Sequence, residues 1–138
     1  MGFWYNIHGG STHFPIALLF SSFLFDAAGY GLHRKTWSRD LHVAAFYALL
    51  LGALASFAAV LSGLILSGWQ FYGGGNLAKH HLFVWPAFGL IVALAVWRVI
   101  VRDTASRPAY GGYLAASAVA TGLMLAAGYW GGELSGGA

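Results

Sequence analysis

Four histidines hold most of the chemistry that this sequence offers. His8 and His13 flank Gly9-Gly10-Ser11-Thr12 just ahead of a long apolar run, and His80-His81 stand at the mouth of another. Imidazole is a ligand for zinc, copper and haem iron, and with no cysteine in the chain any such centre must be held without thiolates. The same absence excludes disulfides and covalent c-type haem attachment. Glu133 follows a further apolar run and is the acid best placed to steer an imidazole through its second ring nitrogen, as carboxylates do for ligating histidines.

The elements that must position these residues are membrane spans. The chain has 138 residues, 59% of them hydrophobic and 8% charged, whereas a soluble domain carries about 25% charged residues. Four apolar runs, at about 12–32, 39–67, 78–102 and 109–130, each have the length of roughly 20 residues needed to cross a hydrocarbon core about 30 Å thick. The pattern predicts an all-α integral membrane protein, an antiparallel four-helix bundle formed as one domain over residues 1–138. Ser11 or Thr12 can cap the first span, with Pro15 in its first turn, and Pro86 is expected to kink the third. The ending Gly131-Gly132-Glu133-Leu134-Ser135-Gly136-Gly137-Ala138 is glycine-rich and reads as loose beyond Glu133. The N-terminus has no positively charged leader and no myristoylation pattern, so neither a removable signal peptide nor a lipid anchor is expected.

Charge sets the expected topology. Arg34, Lys35, Arg39, Arg98, Arg102 and Arg107 fall at one end of the spans and only Lys79 at the other. The positive-inside rule therefore predicts both termini on the periplasmic side of a bacterial inner membrane. So few charges cannot form a nucleic-acid footprint, and nucleic-acid binding is excluded. His8, His13, His80, His81 and Glu133 then share the periplasmic end, while His33 and His42 lie with the arginines.

In an up-down bundle the first and third spans are diagonal partners, so His13 and His81 face each other across the core. That is the arrangement of bis-histidine ligation of a b-type haem. Neighbours on a helix are about 100° apart, so one of His80 and His81 is expected to point inward, and His81 is chosen. His8, ahead of two glycines, is free to reach the same pocket or the solvent. Ala17, Ser62, Gly63, Gly89, Gly128 and Gly131 are small enough to leave space for a flat ring, with Trp85 and Phe88 against it. Zinc or copper on the same histidines is the alternative, without the i, i+4 spacing of a strong metal motif. Asp26, the acid deep in a span, needs a partner there, and His42 or Arg39 is expected to supply it.

The opening His8-x4-His13-Phe14-Pro15-Ile16-Ala17-Leu18, the Phe25-Asp26 pair, the histidine at the start of the third span and the Gly131-Gly132-Glu133-Leu134 ending resemble the bacterial four-span membrane family of domain of unknown function 2231. The similarity covers nearly the whole chain. It implies a haem-carrying electron-transfer subunit, since some members of that family resemble such subunits and occur fused to or beside cytochrome c domains, and it marks His8, His13, His81 and Glu133. Family members often continue past Glu-Leu into Tyr-Arg-His-Gly, where this chain has Ser135-Gly136-Gly137.

The expected role is a membrane-embedded electron-transfer subunit that meets the lipid bilayer and a redox partner such as a periplasmic cytochrome c, a dehydrogenase or a quinone. Ion transport is disfavoured because the middle of every span is apolar or small. A purely structural subunit would need no histidine cluster. No nucleophile or acid-base pair suggests an independent enzyme.

Overall fold

The computed structural model describes residues 3–136, with side chains to Leu134. It is all-helical: α1 (Phe3–Gly31), α2 (Ser38–Leu66), α3 (Gly75–Val101) and α4 (Arg107–Gly136) follow one another with short connections. All four are long and apolar enough to cross a membrane. Short connections force neighbours to run antiparallel, and the result is a four-helix transmembrane bundle with both chain ends at the same end.

The helices run past the expected spans, most of all at the N-terminus. α1 begins at Phe3 rather than near Thr12, so the His8-Gly9-Gly10 stretch is helical and not a hinge. Two glycines inside a helix cost roughly 1 kcal/mol each. Side chains offset part of this, because Ser11 Oγ donates to the His8 carbonyl (3.2 Å) and Thr12 Oγ1 to the Gly9 carbonyl (3.0 Å). Pro15 consequently sits in the helix interior, buried, and leaves the Ser11 carbonyl without its amide partner. At the other end α4 continues to Gly136, beyond the expected loosening at Glu133.

Packing is inside-out relative to a soluble bundle. Phe14, Leu54, Phe57 and Ile100 face outward, as lipid-facing residues should, while much of the centre is small: Ala45, Ala53, Ala87 and Ala120 around Leu19, Leu49 and Ile91. Small residues let backbones approach. A Cβ on Gly52 would stand 3.1 Å from Leu19, so glycine is what allows α1 and α2 to close up there. The helices pair unequally: α1 lies along α2 and α3 along α4 over long contacts, whereas α2 and α3 approach least of the neighbours, and among the described residues the diagonal α1 and α3 meet through the side chains of Asp26 and Arg98. The bundle is two tight hairpins with a loose seam.

Candidate functional site

At the end that carries the chain termini, the seam opens into a largely apolar cavity of about 70 Å³ whose wall comes from all four helices. Three histidines line it: His8 from α1, and His80 and His81 from α3. His8, Gly63, His80 and His81 also line a vestibule of about 260 Å³. Pro15, Ser56, Trp85, Phe88 and Gly128 complete much of the inner wall.

Hydrogen bonding fixes the state of two of these rings. His80 Nδ1 lies 2.8 Å from the carbonyl of Ala127 on α4, and a carbonyl only accepts, so Nδ1 carries the hydrogen. His8 Nδ1 lies 3.0 Å from Ser62 Oγ on α2. The single hydroxyl hydrogen of Ser62 is already given to the Ala59 carbonyl at 3.0 Å, so Ser62 accepts and His8 Nδ1 donates. In each neutral ring Nε2 is left with its lone pair. A ligating histidine is held in this way, with one nitrogen donating to a fixed acceptor and the other turned to the metal. His81 is buried, and its Nδ1 has no hydrogen-bond partner among the described residues; its ring centroid is 5.8 Å from that of His80 and 6.0 Å from Trp85.

Glycines make room for these imidazoles. A Cβ on Gly63 would come within 2.9 Å of His8 Cε1, and one on Gly131 within 3.2 Å of His80 Cε1. The small residues read in the sequence as space for a flat ring are therefore, at Gly63 and Gly131, filled by histidine rings. Gly89 faces open space and Ala17 is exposed, so neither walls the cavity. Trp85 is positioned by its Nε1–H, which donates to the Phe71 carbonyl at 2.7 Å and ties the α2–α3 connection to the cavity wall.

A second polar centre lies toward the basic end. Asp26, fully buried, accepts from His42 Nδ1 (2.8 Å) and Arg98 Nη2 (3.1 Å), from the Tyr110 hydroxyl, and from the Tyr113 hydroxyl (2.9 Å). The donors come from α2, α3 and α4, so one carboxylate on α1 ties together all four helices. Arg98 adds bonds to the carbonyls of Arg102 (3.1 Å) and His42 (3.2 Å). This is how a buried charge is made tolerable in a bilayer: it is paired and its lone pairs are filled.

Residues 5–137 match the family model described as "Predicted membrane protein (DUF2231)". The chain belongs to that family. No curated protein and no solved structure matches it.

In this family member, the residues singled out from sequence fall into two groups. His8, His80 and His81 meet at one cavity. His13 is exposed and does not line it, so the structure does not bring the expected His13–His81 pair together. The reason is the helical start of α1: from His8 to His13 is five residues, about 500° of rotation, which turns His13 well away from the face that His8 presents inward. Both His80 and His81 reach the cavity, contrary to the expectation that one would, because the wall wraps from the α4 side of α3 to its α2 side. Glu133 is exposed and has no hydrogen bond to a histidine among the described residues. No group of three or more His, Asp or Glu side chains able to hold a metal ion occurs among the described residues. At the second centre His42 is the partner of Asp26, as one of two expected, and Arg39 is not. Arg98, Tyr110 and Tyr113 are partners that the sequence pattern does not announce. In the pattern Arg98 counts as a boundary charge, although it stands inside an apolar run, between Trp97 and Val99, at a depth matching that of Asp26.

Proposed function

We propose that this protein is a membrane-embedded electron-transfer subunit whose histidine end would hold one b-type haem, with His8 and His80 as the residues that would bind it through Nε2. One observation supports this above the rest: two rings from diagonal helices, both lining one cavity, each have Nδ1 committed to a fixed acceptor and Nε2 free. The donor chemistry suits iron, and the apolar wall with Trp85 and Phe88 suits a porphyrin face. Bound haem supplies a one-electron carrier. The chain's own residues supply the rest: Ser62 and the Ala127 carbonyl orient the imidazoles, Gly63 and Gly131 let them sit close to the helix backbones, and Trp85 covers the apolar side. Pockets for sizeable ligands run to roughly 300–1,000 Å³. Admitting a macrocycle therefore requires the two hairpins to part along the α2–α3 seam, where their contact is slightest.

The charge asymmetry of the helix ends supports an orientation with this end on the periplasmic side of a bacterial inner membrane. There it exchanges electrons with a periplasmic cytochrome c, a dehydrogenase or a quinone. The test is a spectrum. Protein produced with haem available should show a Soret band and sharp low-spin α and β bands on reduction. His8→Ala and His80→Ala should each abolish the low-spin spectrum, while His13→Ala should keep it. Loss of the spectrum in His13→Ala alone overturns the ligand pair. Zinc or copper without iron in metal analysis of the purified protein overturns the haem.

A further inference from the structure

At the basic end the four helices part around a vestibule of about 450 Å³, with Tyr30, Arg39, His42, Arg98 and Arg107 in its wall. We propose that this vestibule binds a phosphate-bearing group.

Arg98 is committed through Nη2 to Asp26, but its Nε is buried without a hydrogen-bond partner. Arg107 is pinned: its guanidinium carbon stands 4.1 Å over the Tyr30 ring and its Nη2 reaches the Tyr30 carbonyl at 3.5 Å. Arg39 and Arg102, also in the wall, have no ion-pair partner among the described residues. The wall contains one carboxylate, Asp103. A concave surface fed by all four helices thus presents two unpaired guanidinium groups, with the two further arginines behind them. Surface lysines and arginines scattered along a loop would not converge in this way.

Arg102 adds an independent sign. Its backbone has φ 48, a region that glycine enters freely and other residues enter at a cost. The strained turn is held in place from inside, because Arg98 Nη1 bonds the Arg102 carbonyl at 3.1 Å and the Arg102 amide bonds the Arg98 carbonyl at 2.9 Å. Strain retained at an arginine, where glycine would relieve it, points to a use for the side chain. Guanidinium forks match the oxygens of phosphate in pairs, and basic pockets between membrane helices on the positively charged face take up anionic head groups. The two sources of such a group are an anionic phospholipid and a free phosphate.

Native mass spectrometry of delipidated protein distinguishes them, with phosphatidylglycerol, phosphatidylcholine or sodium phosphate added in turn. The expected result is one retained adduct of phosphatidylglycerol or of phosphate in preference to phosphatidylcholine. A retained lipid assigns the head group; a phosphate adduct that excludes the lipid assigns the free anion. Arg39→Gln with Arg102→Gln should lower that retention by about tenfold or more, as loss of two cations near a membrane surface implies. Both side chains are exposed, so the fold should survive, and Arg102→Gly, which relaxes the turn, provides a second variant expected to lose the adduct while remaining folded. Arg34→Gln with Lys35→Gln serves as the control, since those residues lie outside the vestibule wall. An equal loss in the control pair, or no preference for either anion in the unaltered protein, overturns the proposal.

Discussion

The site at the histidine end depends on single atoms. Ser62 gives its only hydrogen to Ala59 and so can only accept from His8, and that fixes which nitrogen of His8 stays free. Removing the acceptor in Ser62→Ala leaves the His8 ring without orientation. Loss of such an outer partner costs about 10- to 100-fold in affinity at metal centres, and a haem titration followed at the Soret band should show a loss of that size. Gly63→Ala should act through space instead, because its Cβ would stand 2.9 Å from His8 Cε1 and the ring must move. Gly89→Ala, near the middle of α3 and facing open space, should leave the titration unchanged. Equal effects at Gly63 and Gly89 would mean that helix propensity, and not the imidazole niche, is what the glycines serve.

At the scale of elements, the Asp26 centre decides how the two hairpins join. The backbones of α2 and α3 approach each other least of the neighbouring pairs, and here an α1 carboxylate reaches donors on each of the other three helices. Breaking a buried ion pair from one side leaves an uncompensated charge, at a cost of about 3–5 kcal/mol. Asp26→Asn, which strands the Arg98 guanidinium, should therefore lower the thermal stability of the detergent-solubilised protein sharply. Replacing both, Asp26→Leu with Arg98→Met, should cost less than the single change, since apolar groups of similar volume need no partner. If the double variant is the weaker of the two, the pair contributes net stability beyond the avoidance of a buried charge. If Asp26→Asn melts like the unaltered protein, the carboxylate does not hold the hairpins together.

For the whole molecule, orientation is the quantity that every functional reading depends on. Even with the buried Arg98 set aside, Arg34, Lys35, Arg39, Arg102 and Arg107 at one end against Lys79 at the other is a strong asymmetry for short connections. With no cysteine in the chain, a single introduced thiol reports cleanly. A membrane-impermeant reagent applied from the periplasm should label Asn76→Cys, in the exposed first turn of α3, and should not label Ser106→Cys before the membrane is opened. Labelling of position 106 from the periplasm would turn the bundle over and place the histidine cavity on the cytoplasmic side.

The sequence by itself determined the number of helices, their antiparallel order and which residues share an end, because membrane insertion reads hydrophobic length and flanking charge, both of which are local. It also put His8, His13, His80 and His81 at one end and named His42 or Arg39 as the partner of Asp26 across adjacent spans. What it could not fix was rotation about each helix axis. Whether α1 starts at Phe3 or Thr12 is settled by the cost of unpaired backbone near a bilayer, which outweighs two glycines, and that continuous helix turns His8 inward and His13 outward. Likewise Arg98 is a boundary charge in one dimension and the partner of Asp26 in three, because the ends of helices distant in sequence converge only when the hairpins dock. A hydrogen-bond tautomer, a glycine that accommodates an imidazole and a carboxylate shared by four helices are properties of side chains from different helices meeting at one point, and only the tertiary structure decides which of them meet.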